Sequence, residues 1–258
     1  MGDTIAPILT LCVAAAFGLT VFLTYLLIKI LPRLGLIDEP RGRHLHKQAT
    51  PSGGGLAIVL AFFAAVQLYY LGLAELLDYR LPAHWGKTVW PLFFIAVIGF
   101  IDDRWELKSY VKLIAQIITA VWAWALGLGI TGMMSYPFPG WLSLIATVVW
   151  FVALVNAFNL IDGLDGLAAG LAVIAALSLA VFFYFLGNLP YAQLLLIFAG
   201  CCCGFLVFNF HPAKIFMGDC GSMFIGTFFC HQQCLLLQQI LDPDQLVRAA
   251  SGTKCSPL

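Results

Sequence analysis

Long apolar runs separated by short polar segments dominate this chain. They fall near residues 5–31, 54–74, 85–101, 111–130, 141–158, 166–186 and 190–210, and an eighth attempt follows at 222–241. A helix needs about 20 apolar residues to cross a bilayer, so each run predicts one transmembrane helix. The longest polar stretch, residues 32–52, is too short for a separate soluble domain. The expected fold class is therefore all-α, a polytopic integral membrane protein with seven or eight transmembrane helices. The first run opens with Asp3 instead of a basic segment and is too long for a cleavable signal peptide, so it predicts a retained helix.

Composition narrows the class further. Of 258 residues, 62% are hydrophobic and 10% charged, and the mean hydropathy is +0.95. Those values exclude a soluble globular domain and a disordered chain, and a net charge of zero gives no basic surplus for nucleic acid. The loops alternate between two faces. One face collects Lys29, Arg33, Arg41, Arg43, Lys47, Arg104, Lys108, Lys112 and Lys214, whereas the other has only Arg80 and Lys87 at its edges. The positive-inside rule then places the first set in the cytoplasm and the N-terminus outside. The eight cysteines form no disulfide framework; Cys201, Cys202 and Cys203 read as small buried filler.

Chemistry enters with the carboxylates. Asp102, Asp103, Asp162, Asp165 and Asp219 all fall at the ends of runs on the basic face, in Gly-rich surroundings. Each alone reads as a helix cap or a wetted loop end, but five from three loops predict one site. In Asn156-Ala-Phe-Asn159-Leu-Ile-Asp162-Gly163-Leu164-Asp165-Gly166, polar residues recur every third position, and the glycines argue against an unbroken helix. Such a broken end offers a polar pocket for a base or a sugar. Adjacent Asp102 and Asp103 call for a cation, and oxygen ligands suit magnesium reaching substrate phosphates. Lys112 could supply a positive charge for phosphate, or simply mark the inner end of a span. Lys47 precedes Gly53, Gly54 and Gly55, whose backbone N–H groups could approach phosphate, although no P-loop ending is present. Phe216 could stack on a flat base or pack at the membrane edge.

These motifs, in this order and spacing, resemble the polyprenyl-phosphate N-acetylhexosamine-1-phosphate transferase superfamily (glycosyltransferase 4, undecaprenyl-phosphate N-acetylglucosamine-1-phosphate transferase-like). Four blocks carry the resemblance across roughly residues 1–226: Lys47 with Thr-Pro-Ser-Gly-Gly-Gly, the Asp102-Asp103 pair, Asn159-Leu-Ile-Asp-Gly-Leu-Asp-Gly-Leu, and Asn209-Phe-His-Pro-Ala with Phe-Met-Gly-Asp219-Cys-Gly-Ser. The stretch Pro40-Arg-Gly-Arg-His-Leu-His-Lys looks more like the branch that starts O-antigen-type polysaccharides than the peptidoglycan branch. The resemblance implies a transferase that moves N-acetylhexosamine 1-phosphate from a UDP-amino sugar to undecaprenyl phosphate, releasing UMP. It also implies magnesium, with manganese as a substitute, a bacterial inner-membrane location with a cytoplasmic site, and room for a homodimer. By the same resemblance, Asp102, Asp103 and Lys112 are catalytic and Asp219 is the metal ligand. Lys47, Asn159, Asp162, Gly163, Leu164, Asp165, Asn209 and Phe216 are then substrate-binding.

The chain departs from the family pattern near its end. After about Gly226 it reads Thr-Phe-Phe-Cys-His231-Gln232-Gln233, a poor lipid-facing helix, and then a polar tail. The expected division is a transferase domain over 1–226, incomplete at its C-terminal side, and a divergent segment over 227–258. A shortened, inactive remnant of a transferase is therefore the alternative reading. A membrane transporter is a weaker one, since it calls for mid-span carboxylates and internal repeats.

Overall fold

The computed structural model describes residues 2–38, 49–77, 85–133 and 136–241. Lys47 and the stretch Pro40 to Lys47 lie outside them. The described residues form eight α-helices: α1 Gly2–Ile30, α2 Gly55–Leu77, α3 Trp85–Trp105, α4 Ser109–Ala125, α5 Gly140–Ile161, α6 Leu167–Phe185, α7 Leu189–Asn209 and α8 Gly218–Leu241. Two short antiparallel ribbons complete the fold, one pairing Ile37 with Pro51 and the other Gly132 with Pro137. Five helices (α1, α3, α5, α6 and α7) are long and apolar enough to cross a membrane, and shorter apolar stretches occupy Gly55–Tyr70 and Ser109–Ala125. The all-helical, polytopic expectation holds.

Helix α8 is the hub. It packs on α2, α3 and α5, while α7 packs on α1 and α6. Close approach is achieved with glycine, as is usual where helices meet without a hydrophobic driving force between them. A Cβ at Gly55 of α2 would lie 2.2 Å from Gly221 Cα, one at Gly99 of α3 would lie 2.6 Å from Asp219 O, and one at Gly226 would lie 2.6 Å from Val155 Cα of α5. Backbone meets backbone at all three contacts, so α8 is held at a fixed depth. Phe62 of α2 locks the upper part of this interface against Phe198, Phe224 and Phe228 at ring separations of 5.2–5.8 Å.

Four expectations change. The third helix does not stop before the aspartates: α3 runs on to Trp105, so Asp102 and Asp103 sit in its last turn, and Glu106 at φ 46° ends it. The fourth run ends early, at Ala125, because Gly127 at φ 84° donates back to Trp124 O and Leu128 N–H donates to Ala123 O, closing the helix. Two amides of the glycine triplet are taken up within the fold. Gly54 N–H donates to Phe216 O and Gly55 N–H to Met217 O, both at 2.8 Å. Finally, the run after Gly226 continues as helix to Leu241, and His231 and Gln232 do not face lipid: they are 0% and 1% exposed, turned into the bundle.

Candidate active site

Contacts between the C-terminal ends of odd-numbered helices and the N-terminal ends of even-numbered ones bring the chemistry-bearing residues to one end of the bundle. The centre is Lys112, one turn into α4. Its Nζ donates to Asp102 Oδ2 at 2.9 Å and to Asp219 Oδ2 at 2.8 Å, so one ammonium bridges carboxylates from α3 and α8. From α5, Asn159 Nδ2 donates to the other oxygen of Asp219, Oδ1, at 2.6 Å and to Ser222 Oγ at 3.0 Å. The Lys112 and Asp219 side chains keep 27% and 20% of their surface, against 7% for Asp102, so the bridge is open to a substrate on its Asp219 side. Asp102 is pinned from behind by Leu107 N–H, which donates to Oδ1 at 2.6 Å.

Asp103 and Asp162 reach the same place but face the backbone. Asp219 N–H donates to Asp103 Oδ1 at 2.7 Å, Cys220 N–H to Asp103 Oδ2 at 3.1 Å, and Gly218 N–H to Asp162 Oδ2 at 3.1 Å. Burial pushes the Asp162 carboxyl well above the ordinary carboxylate range; the Gly218 N–H opposes this, and the negative charges of Asp103 and Asp219 add to it. The polar stripe from Asn156 to Asp165 therefore divides. Asn159 and Asp162 join the cluster. Asn156 pairs with Gln116 Oε1 at 2.7 Å, farther along α4 and α5. Asp165 turns the other way: Oδ2 accepts from Ala213 N–H at 3.1 Å and contacts His211 Nδ1 at 2.9 Å, fastening the segment after α7.

Asn209 is enclosed, at 3% exposure. Its Oδ1 accepts from Gly166 N–H at 3.1 Å and its Nδ2 donates to Ile215 O at 2.9 Å, so it ties the α5–α6 turn to the α7–α8 loop. Between those two ties, Gly163 and Leu164 form an exposed turn, with Leu164 at 55%. Phe216 is half-buried, and its N–H donates to Pro51 O at 2.8 Å. Ser222 belongs to the cluster although its motif suggested no role for it. Its spacing of three from Asp219 on a helix places both on one face, a signal that was readable in advance.

Four carboxylates thus gather at this end of the bundle, two of them (Asp102 and Asp219) on the Lys112 ammonium and two (Asp103 and Asp162) on the backbone of the first turn of α8, with an amide, a hydroxyl and an exposed turn beside them. The donor set is oxygen-only and carries excess negative charge, which fits a hard divalent cation. Among the described residues no group of three or more His, Cys, Asp or Glu side chains is arranged to enclose an ion by itself. Magnesium held through one or two carboxylates and completed by substrate phosphates needs no such group.

Comparison with known proteins gives the chain's family. Residues 85–236, a stretch that includes α3 to α7 and most of α8, match the family described as glycosyl transferase family 4. A Bacillus subtilis protein described as "Probable undecaprenyl-phosphate N-acetylglucosaminyl 1-phosphate transferase" is 40% identical over 204 residues, covering 77% of this chain and 54% of the relative. The decaprenyl-phosphate N-acetylglucosaminephosphotransferase of Mycolicibacterium smegmatis is 40% identical over 213 residues, covering 75% and 52%. The phospho-N-acetylmuramoyl-pentapeptide-transferase of Halalkalibacterium halodurans is 34% identical over 261 residues, covering 91% and 77%. The chain spans about half the length of the first two relatives. On the family match and these identities together, this chain belongs to glycosyl transferase family 4.

Proposed function

We propose that the chain transfers N-acetylhexosamine 1-phosphate, N-acetylglucosamine 1-phosphate in the first instance, from a UDP-amino sugar to undecaprenyl phosphate or a similar polyprenyl phosphate. The observation that carries this reading is the Lys112 ammonium held between Asp102 and Asp219, with Asn159 fixing the latter. A phosphate oxygen of the lipid forms a bond to the β-phosphorus, the bond from that phosphorus to the bridging oxygen breaks, and UMP leaves with the electron pair. The products are a lipid-diphosphate sugar and UMP. A phosphate monoester has a second pKa near 6, so the nucleophile is already largely ionised at neutral pH. Positioning and charge neutralisation then matter more than a strong base.

Lys112 supplies a positive charge to the diphosphate, and Asn159 holds the Asp219 carboxylate in orientation. Asp219, together with Asp102, would hold magnesium or manganese, which when bound neutralises charge on the phosphates. The exposed Gly163-Leu164 turn and Phe216 would receive the uridine, with Asp165 shaping the turn through its contacts to Ala213 and His211. In this reading the site works at the cytoplasmic face of the bacterial inner membrane with the N-terminus outside, which the excess of basic residues in these loops supports. The 40% identity to N-acetylglucosamine-phosphate transferases, against 34% to the pentapeptide transferase, supports N-acetylglucosamine 1-phosphate as the transferred group, and the Pro40-Arg-Gly-Arg-His-Leu-His-Lys stretch supports the branch that starts cell-surface polysaccharides of the O-antigen type.

The test is UMP release by membranes containing the chain, given UDP-N-acetylglucosamine, undecaprenyl phosphate and magnesium, with Asp219→Asn membranes as the blank. Release that needs lipid, metal and Asp219 supports the proposal. Silence with every UDP-amino sugar would leave a chain with the family's fold and no turnover.

A further inference from the structure

The paired aspartates at the end of α3 are equal in sequence and unequal in space. Asp102 faces Lys112. Asp103 faces the first turn of α8, where it accepts from two consecutive backbone N–H groups, Asp219 and Cys220, while Asp162 accepts from the preceding one, Gly218. The first N–H groups of a helix have no partner within it and carry its positive dipole end. Here the usual side-chain cap from the residue before the helix is replaced by two carboxylates from helices distant in the chain.

Gly218 reports the same arrangement independently. It sits at φ 75°, and a Cβ there would lie 2.6 Å from Asp103 Oδ1 and 2.8 Å from Oδ2. The carboxylate occupies the space any other side chain would need. We infer that Asp103 is a positioning residue, which caps α8 from α3 and thereby sets where Asp219, the residue whose N–H it binds, presents its carboxylate to Lys112. The inference rests on the proposed reading only for the meaning of turnover; the cap itself is a feature of the chain alone.

Cys220, 0% exposed in the first turn of α8, provides a readout that needs neither metal nor substrate. Membranes holding the full chain are treated with N-ethylmaleimide in the absence of magnesium, and modified cysteines are located by peptide mass spectrometry. Cys201, 0% exposed within α7, monitors the overall fold. Asp103→Ala removes both acceptors, so Cys220 should label about tenfold faster or more while Cys201 stays protected, because local opening sets the rate. Asp103→Asn keeps one acceptor oxygen for Asp219 N–H, so its Cys220 should stay close to wild type, and its UMP release should exceed that of Asp103→Ala by about tenfold.

Unchanged Cys220 labelling in Asp103→Ala overturns the inference. So does Asp103→Asn as inert as Asp103→Ala with Cys220 protected in both, which would make the charge of Asp103 the essential property. Should Asp103→Ala expose Cys201 as well, the Asp103→Asn result decides alone: retained turnover supports the cap, and a protected but inert protein refutes it. If wild type itself releases no UMP, the proposed function fails while the labelling comparison still decides the cap.

Discussion

Lys112 and Asp219 stand 107 positions apart in sequence and 2.8 Å apart in space. The same ammonium contacts Asp102 at 2.9 Å, so it compensates two carboxylates that also meet each other directly. Replacing Lys112 by Met removes that charge with little change in volume. UMP release should fall about 100-fold or more, in the range of lost electrostatic stabilisation. Lys112→Arg should recover little of it, since a planar fork does not replace a compact point charge between two oxygens. Turnover near wild type in Lys112→Met would remove Lys112 from the site.

Metal removal offers a separate check. With two carboxylates on one ammonium and two more beside them, the site should lose turnover in excess EDTA and regain it with magnesium or manganese. Full activity in the chelator would contradict the assignment of Asp219 as the metal-holding residue.

Asn209 tests the loops rather than the cluster. Asn209→Ala leaves Gly166 N–H and Ile215 O without their partner, a loss of about 1–3 kcal/mol for buried groups. A lower thermal midpoint in detergent, measured beside wild type, is the expected result, and an unchanged midpoint would show that the two loops are held by other contacts.

Glycine positions make opposite predictions according to what surrounds them. Gly55→Ala would press a methyl group to 2.2 Å from the Gly221 backbone, which cannot move aside, and should cost about 3 kcal/mol or more. Among the described residues nothing lies within 4 Å of a would-be Cβ on Gly18 of α1, so Gly18→Ala should stabilise the helix by roughly 0.5–1 kcal/mol. Detergent thermal midpoints should move down for the first and up for the second; a Gly55→Ala midpoint that does not fall would count against the close α2–α8 contact.

Among the described residues neither ring nitrogen of the enclosed His231 has a hydrogen-bond partner, and its ring lies 6.0 Å from that of Phe151. A buried polar group left unpaired is costly, and an apolar replacement of similar size removes that cost. His231→Leu should raise the thermal midpoint. A fall would mean that the imidazole makes a contact that Leu cannot.

Apolar runs and the basic-residue asymmetry are properties of composition and spacing, so the helical membrane class was legible in the residues alone. So were the motif residues, because Asp102, Asn159, Asp162 and Asp219 fall at the ends of apolar runs, the last two beside glycine, whatever the packing. The helix limits were less legible. Nothing local announces that α3 continues through Asp102 and Asp103, since the turn that stops it, at Glu106, is set by the chain beyond.

Roles were decided only by the tertiary structure. Asp102 and Asp103 are neighbours with identical chemistry, yet adjacent residues on a helix point about 100° apart. What each one meets depends on where α4 and α8 lie. In the same way the glycine triplet suggested a phosphate cradle, whereas Gly54 and Gly55 spend their amides on Phe216 and Met217 so that α8 can approach. His231 and Gln232 looked unfit for lipid, and the bundle resolves this by turning them inward. Hydropathy depends on residue type and can be read along a chain; which carboxylate meets an ammonium and which meets a helix end depends on distances between segments over 100 residues apart, which only packing establishes.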